Sequence, residues 1–322
     1  MARARARAAA AFGIALVAAV VGMQCGGGKS TAPTPNPSVE PPPGTIPPPT
    51  PTPTPTPSVP RTFVGAGDIG WCGKPGADQT ARLVESINGE VFTAGDNAYL
   101  EGSFKNFMDC YQPTWGRFID RTRPVPGNHE YDTDNSARGY YSYFGVRASL
   151  QSPQGYYSYD VGDWHIIALN SALPNGIGFG PAQLSWLEAE LRTNRAKCTA
   201  AIWHHPLFSS GPNGPNAYTR QAWRILYDND ADLIINGHDH LYERFSPQDP
   251  DGRLDRVRGI RQFTVGTGGA DLYEFTRSVS PNSEVRISQY GVIKFTLEST
   301  KYSWQFIPVG GSSDPGGTEN CH

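Results

Sequence analysis

Short apolar runs alternate with stretches of helical spacing along the chain from residue 61 onward. In one helical stretch, Ala81, Val84 and Ile87 recur at three-residue intervals, which is typical of a helix with one buried face. The helical stretches predict helices over residues 78–88, 181–195 and 218–227. The apolar runs predict strands over residues 62–66, 90–94, 122–125, 156–160, 164–170, 199–203, 232–235, 262–265, 290–296 and 302–308. This alternation predicts an α/β layered core with a more β-rich second half.

The first 24 residues have the pattern of an export signal. Arg3, Arg5 and Arg7 precede an apolar run over residues 8–23, and this run is short for a membrane span, which needs about 20 residues. Cys25 then begins a Cys-Gly-Gly-Gly-Lys-Ser stretch that resembles the mature start of a bacterial lipoprotein. We therefore expect export, either with a lipid on Cys25 that attaches the protein to the cell envelope or as a secreted protein with an unpaired thiol.

Residues 25–60 form a linker rich in proline and threonine. Fourteen of the 29 prolines lie between residues 31 and 60. Proline fixes φ and removes a backbone donor, so this segment is expected to be extended and disordered and to bury no core. The interpretation divides the chain into a signal peptide over 1–24, a tether over 25–60 and one catalytic domain over 61–322.

The composition of the domain excludes two classes of protein. Residues 61–322 hold 23 Lys and Arg against 29 Asp and Glu, a formal charge of −6. A nucleic-acid-binding surface is not expected, because phosphate backbones need clustered positive charge. The aromatic residues and apolar runs of this part exclude an intrinsically disordered protein.

Four cysteines in the domain predict two disulfides. An even number in an exported chain favours pairing, and four cysteines allow three connectivities. We expect Cys72–Cys110 and Cys198–Cys321, since the first pair would join two loops that the motifs below bring to one site, although the sequence leaves the other pairings open.

Five predicted strands are each followed at once by a polar residue of metal-ligand type, bracketed by glycine or proline. Five of the seven histidines fall in these segments, which read Gly67-Asp68-Ile69-Gly70, Gly95-Asp96-Asn97-Ala98-Tyr99, Gly127-Asn128-His129-Glu130, Trp203-His204-His205-Pro206 and Gly237-His238-Asp239-His240. Ligand sites in open α/β sheets form beyond the carboxyl ends of strands, so five such ends in one sheet would surround one crevice. Carboxylate, amide and imidazole donors suit two metal ions that share a bridging carboxylate.

These five segments, in this order, resemble the motifs of the calcineurin-like metallophosphoesterase superfamily. The family patterns GDxG, GDxxY, GNH[DE], VxxH and GHxH stand here as GDIG, GDNAY, GNHE, AIWH and GHDH. Tyr99, three residues after Asp96, makes the resemblance closest to the purple acid phosphatase branch. The resemblance implies a layered metallophosphoesterase-type β-sandwich flanked by helices, preceded here by the signal peptide and linker.

The resemblance also implies a role for each residue. Asp68, Tyr99 and His240 would bind an iron(III) ion, Asp96 would bridge, and a second, divalent ion (zinc, manganese or iron) would be held by Asn128, His204 and His238. His129 would contact the phosphoryl group or protonate the leaving group. Family members hydrolyse phosphate monoesters with a metal-activated hydroxide, so the expected substrate is a phosphorylated small molecule or protein.

Two features of the sequence leave alternatives open. Some family members have further histidines about ten residues after the fourth motif, and the corresponding stretch 210–216 has none. His205, Glu130 and Asn213 are the candidates to protonate the leaving group instead, and His205 is preferred. The aromatic stretch 140–144 either lines a substrate cleft or packs in the core.

Two other functions compete with a phosphomonoesterase. One is a phosphodiesterase or nucleotide hydrolase on the same scaffold. The other is a non-catalytic surface binding module, which is disfavoured because all seven implied ligands are present.

Overall fold

Two large β-sheets, one two-stranded sheet and the helices that cover the large sheets make up the part of the chain that the computed structural model describes, residues 59–148, 154–173 and 176–322. The expected signal peptide, Cys25 and the linker up to residue 58 lie outside the described residues. The strands are β1 Arg61–Ala66, β2 Glu90–Ala94, β3 Thr122–Val125, β4 Tyr157–Val161, β5 Trp164–Ala168, β6 Ala172–Leu173, β7 Gly176–Ile177, β8 Cys198–Ile202, β9 Leu233–Asn236, β10 Tyr242–Phe245, β11 Arg261–Val265, β12 Ser283–Ile287, β13 Gly291–Glu298, β14 Lys301–Pro308 and β15 Gly317–Asn320.

Five α-helices and several shorter turns connect the strands. The α-helices are α1 Gly76–Glu85, α2 Phe104–Asn106, α3 Arg138–Phe144, α4 Pro181–Thr193 and α5 Arg220–Asp228. A π-helical turn spans Phe107–Tyr111, and 3₁₀ turns span Trp115–Arg121, His129–Tyr131, Gly145–Ala148 and Ala217–Thr219. None of the helices in the described ranges is long and apolar enough to cross a bilayer.

The first large sheet has six strands, in the order β15-β14-β13-β1-β2-β3. The second has seven, in the order β12-β10-β11-β9-β8-β5-β4, and β6 and β7 pair with each other. An apolar layer with residues from both sheets, such as Phe63, Phe92, Ile202 and Phe263, lies between them. A second cluster packs α1, α3 and the 107–118 region onto the first sheet, and a third packs α4 and α5 onto the second. The predicted α/β sandwich flanked by helices is confirmed.

The expectation that the five ligand-bearing strands share one sheet is wrong. β1, β2 and β3 are parallel neighbours in the first sheet, whereas β8 and β9 are parallel neighbours in the second. The ends of the two groups still lie close together. Gly67 N at the end of β1 donates to Val265 O (2.9 Å) at the end of β11, and β11 is the neighbour of β9 in the second sheet. Apolar patterning shows that a strand is buried but does not show which strand it pairs with.

Most of the predicted elements are present, with ends shifted by a few residues. Of the strands that the sequence did not predict, β6 and β7 have two residues each, and β10, β12 and β15 carry charged or polar residues. β10 contains Glu243 and Arg244, both buried, and Glu243 accepts hydrogen bonds from Ser210 N (2.8 Å) and Ser210 Oγ (2.6 Å). β12 alternates partly exposed and exposed positions up to buried Ile287, as an edge strand does. The helical turns over 104–121 and α3 were missed as well.

The expected disulfides, Cys72–Cys110 and Cys198–Cys321, are both present. The first joins the loop after β1 to the π-helical turn, and the second joins β8 to the residue that follows β15. Disulfides of this kind are typical of proteins that fold in an oxidising compartment.

A cluster of charged side chains around buried Arg261 links the two large sheets, away from the motif loops. The Arg261 guanidinium on β11 donates to Glu319 on β15 (Nε to Oε2, 2.8 Å) and to Glu284 on β12 (2.8 Å). It also lies over the Trp304 ring, 4.9 Å from the ring centroid. Arg261 therefore pairs with carboxylates on both sheets, and Glu284 also accepts from Arg244.

We predict that Arg261→Ala lowers the free energy of unfolding by about 1–3 kcal/mol, because Glu319 would lose its cationic partner and Glu284 would keep only Arg244. Urea unfolding followed by circular dichroism measures this change. Arg258→Ala is the matched control, since Arg258 pairs with Asp230 at the surface and such pairs contribute little. Equal unfolding midpoints for the two variants would contradict the prediction.

Candidate metal centre

The predicted ligands converge at one edge of the sandwich. Asp68, Asp96 and Asn128 follow β1, β2 and β3, while His204 and His238 follow β8 and β9. Tyr99 and His240 lie in the same loops as Asp96 and His238 and complete the set. The contacts below join six of the seven residues, and Asn128 directly precedes His129, whose backbone N donates to Asp96 Oδ1 (2.9 Å).

Three of these residues have a left-handed backbone. The φ angles are 60° at Asp68, 48° at Asp96 and 73° at His238. Non-glycine residues rarely adopt such angles, and strain of this kind is concentrated at functional sites. The turns are held by neighbouring loops, since Asp68 N donates to Gly95 O (3.0 Å) and His238 N donates to Asp68 Oδ2 (2.9 Å).

Glycines beside the ligands are required by close approach. A Cβ on Gly127 would lie 2.1 Å from Asp96 Oδ1, and a Cβ on Gly95 would lie 2.5 Å from His204 Nδ1. Gly95 also has a φ of 84°. Only glycine leaves room for these two ligand side chains at such positions.

The hydroxyl of Tyr99 lies at the centre of the first ligand group. It lies within hydrogen-bond distance of Asp68 Oδ1 (2.9 Å), Asp96 Oδ2 (3.1 Å) and His240 Nε2 (3.0 Å). One hydroxyl hydrogen cannot satisfy two buried carboxylates. The group is therefore rich in lone pairs, which is the condition that a bound cation relieves.

The protonation of Tyr99 responds to these neighbours. Burial raises the pKa of the Tyr99 phenol well above its usual value, and the Asp68 and Asp96 carboxylates raise it further. The phenol is therefore neutral in the metal-free protein. A phenolate at this position would need a nearby cation to stabilise it.

Asp96 also contacts the second group. His204 Nδ1 lies 2.8 Å from Ala94 O, and because a carbonyl only accepts, Nδ1 carries a proton. Nε2 lies 3.0 Å from Asp96 Oδ2. Burial disfavours the charged imidazole, but the Asp96 and Asp68 carboxylates outweigh it and raise the pKa of His204 to about 9. The carboxylates thus draw a positive charge to this point, which a metal ion would supply in place of the proton.

The remaining donors fit a second ion. Asn128 Oδ1 and His204 Nε2 are buried with no aligned hydrogen-bond partner in the described chain. Ligand atoms of Asp68, Asp96 and His204 lie within 4.8 Å of one another, as do those of His204, His205 and His238. The residues present therefore offer two overlapping groups of metal-capable donors, which share His204.

His205, expected to act in catalysis, lies within this metal-capable group. Its ring is buried, its Nδ1 is 2.9 Å from Ser171 Oγ, and its Nε2 has no hydrogen-bond partner among the described residues. The ring centroid lies 4.4 Å from that of His238. The sequence does not indicate that Ser171 contacts His205, because the two residues follow different strands.

His129 lies at the open side of the site. Its side chain is 29% exposed and its ring lies over Tyr99 at 4.5 Å. Nδ1 lies 2.6 Å from Leu100 O, so Nδ1 carries a proton, while Nε2 lies 3.9 Å from Asp96 Oδ2. This nitrogen is placed to exchange a proton with a ligand in the site.

Glu130 binds the backbone of two motif loops. Its buried carboxylate accepts hydrogen bonds from the backbone N–H groups of Asp96 (3.0 Å), Asn97 (2.7 Å) and Gly127 (2.6 Å). It holds two motif loops together and is turned away from solvent. The alternative that Glu130 protonates the leaving group is therefore wrong, because all its acceptor positions face backbone.

Asn213 lies in the loop that lacks the additional histidines. Its Nδ2 donates to His238 O (2.8 Å) and its backbone N donates to Asp239 Oδ1 (2.9 Å). Ser209 Oγ donates to the other oxygen of the same carboxylate. Asp239, the variable position of the fifth motif, thus holds this loop against the site, a role that the sequence alone did not indicate.

Comparison with known proteins agrees with this geometry. The model of the calcineurin-like phosphoesterase family matches residues 61–242, which is more than half of the chain. The chain belongs to the calcineurin-like phosphoesterase family. Purple acid phosphatase 21 of Arabidopsis thaliana is 31% identical over 262 residues, which cover 72% of this chain and 56% of the relative. The similarity to purple acid phosphatases assigns this phosphoesterase to their branch, as the motifs predicted.

Solved structures agree on the phosphoesterase fold. A purple acid phosphatase from yellow lupin (Lupinus luteus) seeds has a TM-score of 0.65 at 20% identity, covering 81% of this chain and 54% of that one. The anchor in the inner membrane complex of Plasmodium has a TM-score of 0.65 at 17% identity, covering 82% and 89%. This phosphoesterase spans little more than half the length of the Arabidopsis relative.

We predict that Glu130→Gln lowers the affinity of this phosphoesterase for metal by about 10–100-fold, the effect typical of losing a group that orients ligands. An amide offers one acceptor oxygen and turns two donors toward backbone N–H groups. Metal content after dialysis against graded chelator measures the change, and the unfolding midpoint of the metal-free protein is the control for folding. Unchanged metal retention would contradict this role.

Proposed function

We propose that this chain is an exported dinuclear-metal phosphatase that hydrolyses phosphate monoesters, with a purple acid phosphatase type of centre. The convergence of the seven motif residues on one edge of the sandwich carries the proposal. The family assignment supports a phosphoesterase that acts on phosphorylated substrates. Monoester specificity is the finer part of the proposal.

The motif residues would hold the two ions in two overlapping sets. Asp68, Tyr99 and His240 would bind iron(III), since a phenol and carboxylates are hard oxygen donors. Asn128, His204 and His238 would bind a divalent ion, zinc, manganese or iron, and Asp96 would bridge. When bound, the ions would supply the Lewis acidity that activates a water molecule and polarises the phosphoryl group.

The chain itself supplies orientation and proton transfer. His129, held by Leu100 O through Nδ1, would present Nε2 to the phosphoryl or leaving-group oxygen. A positioned general acid of this kind contributes about 10²–10⁴-fold to the rate. His205 would assist this proton transfer from the buried side of the site, where Ser171 fixes its ring. Asn213, which is exposed to solvent, is the alternative to His205.

Export is supported by the disulfides. Cys72–Cys110 and Cys198–Cys321 are typical of an oxidising compartment. We propose that residues 1–24 direct the chain out of the cytoplasm and that residues 25–60 tether the domain, with lipidated Cys25 as the attachment to the cell envelope.

We predict that Asp96→Asn reduces metal content and lowers hydrolysis of p-nitrophenyl phosphate by orders of magnitude, because a neutral amide cannot replace the bridging carboxylate. Asp120→Asn, a change of the same kind at an exposed residue, is the control and keeps full activity. Metal analysis and initial rates measure both effects.

The same assay separates the competing functions. Faster hydrolysis of bis(p-nitrophenyl) phosphate than of the monoester by the wild type would favour the phosphodiesterase alternative. Full metal content with no turnover of either ester would favour a binding module. Near-normal turnover by folded Asp96→Asn protein would overturn the dinuclear proposal.

We predict that Tyr99→Phe removes a visible absorption band from the purified, iron-containing protein. Charge transfer from a phenolate to iron(III) would give the wild type a purple or pink colour, and phenylalanine has no oxygen to bind the ion. Tyr273→Phe is the control, because the Tyr273 ring stacks on His240 at 4.0 Å without a hydroxyl contact to Asp68 or Asp96. A colourless, fully active wild type that contains only zinc, manganese or calcium would exclude the tyrosine–iron assignment.

A further inference from the structure

A cavity of about 340 Å³ is lined in part by residues that lie close in sequence to residues of the metal centre and its neighbours. Tyr131, on one wall, follows His129 by two residues in the same 3₁₀ turn. Asn170, on another wall, directly precedes Ser171, which contacts the His205 ring. The cavity is therefore next to the residues on which the proposed phosphatase function depends.

The lining of the cavity is uncharged and mostly apolar. Three tyrosines, Tyr131, Tyr141 and Tyr156, line it together with asparagine and glutamine side chains, and the described lining residues include no Asp, Glu, Lys, Arg or His. Such a lining does not suit a phosphate group, which needs charge-assisted hydrogen bonds. Aromatic faces and amides suit an uncharged planar group, which can stack on the rings.

The aromatic stretch 140–144 divides its residues between core and cavity. Tyr140 and Phe144 are buried in the cluster that covers the first sheet, whereas Tyr141 lines the cavity. Packing in the core is therefore confirmed for Tyr140 and Phe144, while the substrate-cleft interpretation stays a prediction that concerns Tyr141.

The walls of the cavity are held in place before any ligand binds. Asn170 Nδ2 donates to the Tyr131 hydroxyl (2.7 Å), and Gln183 bonds both the N–H and the C=O of Asn170 (2.8 Å each). The Tyr156 ring packs on Trp186 with 5.0 Å between centroids. A preformed site of this kind loses little conformational entropy on binding.

We propose that this cavity holds the uncharged aromatic part of the leaving group of a phosphate ester. The inference rests on the proposed phosphatase function. With the phosphoryl group at the metal centre, the leaving group would extend past Tyr131 into the cavity. The volume is ample for one ring, since a cavity of about 150 Å³ already accepts benzene.

Filling the cavity tests the proposal. Ala182 is an exposed residue of α4 that lines the cavity, so Ala182→Trp would place an indole in its mouth. Ala189→Trp on the same helix is the matched control, because Ala189 is exposed and lies outside the cavity lining. Circular dichroism and the unfolding midpoint show that both variants are folded.

The first measurement needs no metal and no activity. Binding of 4-fluorophenol to the metal-free protein is followed by the broadening of its ¹⁹F resonance. We expect broadening with the wild type and with Ala189→Trp, and its loss with Ala182→Trp. Equal broadening with all three proteins would overturn the proposal.

The second measurement compares phenyl phosphate with ethyl phosphate in the metal-loaded enzyme. We expect Ala182→Trp to lower kcat/KM for phenyl phosphate about tenfold or more, as the loss of an apolar pocket does, and to leave the value for ethyl phosphate unchanged. An equal loss for both esters, or no loss for either, would overturn the proposal. A wild type that binds 4-fluorophenol but hydrolyses neither ester would refute the phosphatase function, and with it the leaving-group role, while leaving an aromatic-binding cavity established.

Discussion

The metal centre depends on two buried carboxylates that share one tyrosine hydroxyl. Asp68 and Asp96 both lie within hydrogen-bond distance of the Tyr99 hydroxyl, and both lie beside buried histidines. Burial and mutual repulsion make two adjacent carboxylates unstable unless positive charge reaches them. The neighbouring imidazoles supply that charge as protons, at the point where the donor set fits metal ions. The chemistry of the site follows from this imbalance.

The fold holds these two buried carboxylates in place. Left-handed turns at Asp68 and Asp96 aim their carboxylates inward, and Glu130 fixes two loops through their backbone N–H groups. The sandwich that supports these loops is closed elsewhere by the Arg261 cluster and by the Cys198–Cys321 disulfide. Rigid elements carry the strained positions, which is how strain persists in a folded protein.

The site region is divided into a charged part and an uncharged part. The metal-capable edge concentrates carboxylates and imidazoles, whereas the adjacent cavity presents tyrosine rings and amides. Such a division suits a phosphate ester, whose two halves differ in the same way. Tyr131 and Asn170 connect the parts, because each neighbours a residue of the charged edge.

The sequence by itself determined the motif residues, the family and the alternation of strands and helices, because these depend on local spacing and residue type. Which strands share a sheet was decided only in three dimensions, since burial patterns do not record pairing partners. The roles of Glu130, Asp239 and Ser171 were likewise tertiary, because each acts on a loop distant in sequence. The cavity was hidden for the same reason: its walls come from separate segments, and nothing in any one of them indicates an empty space between.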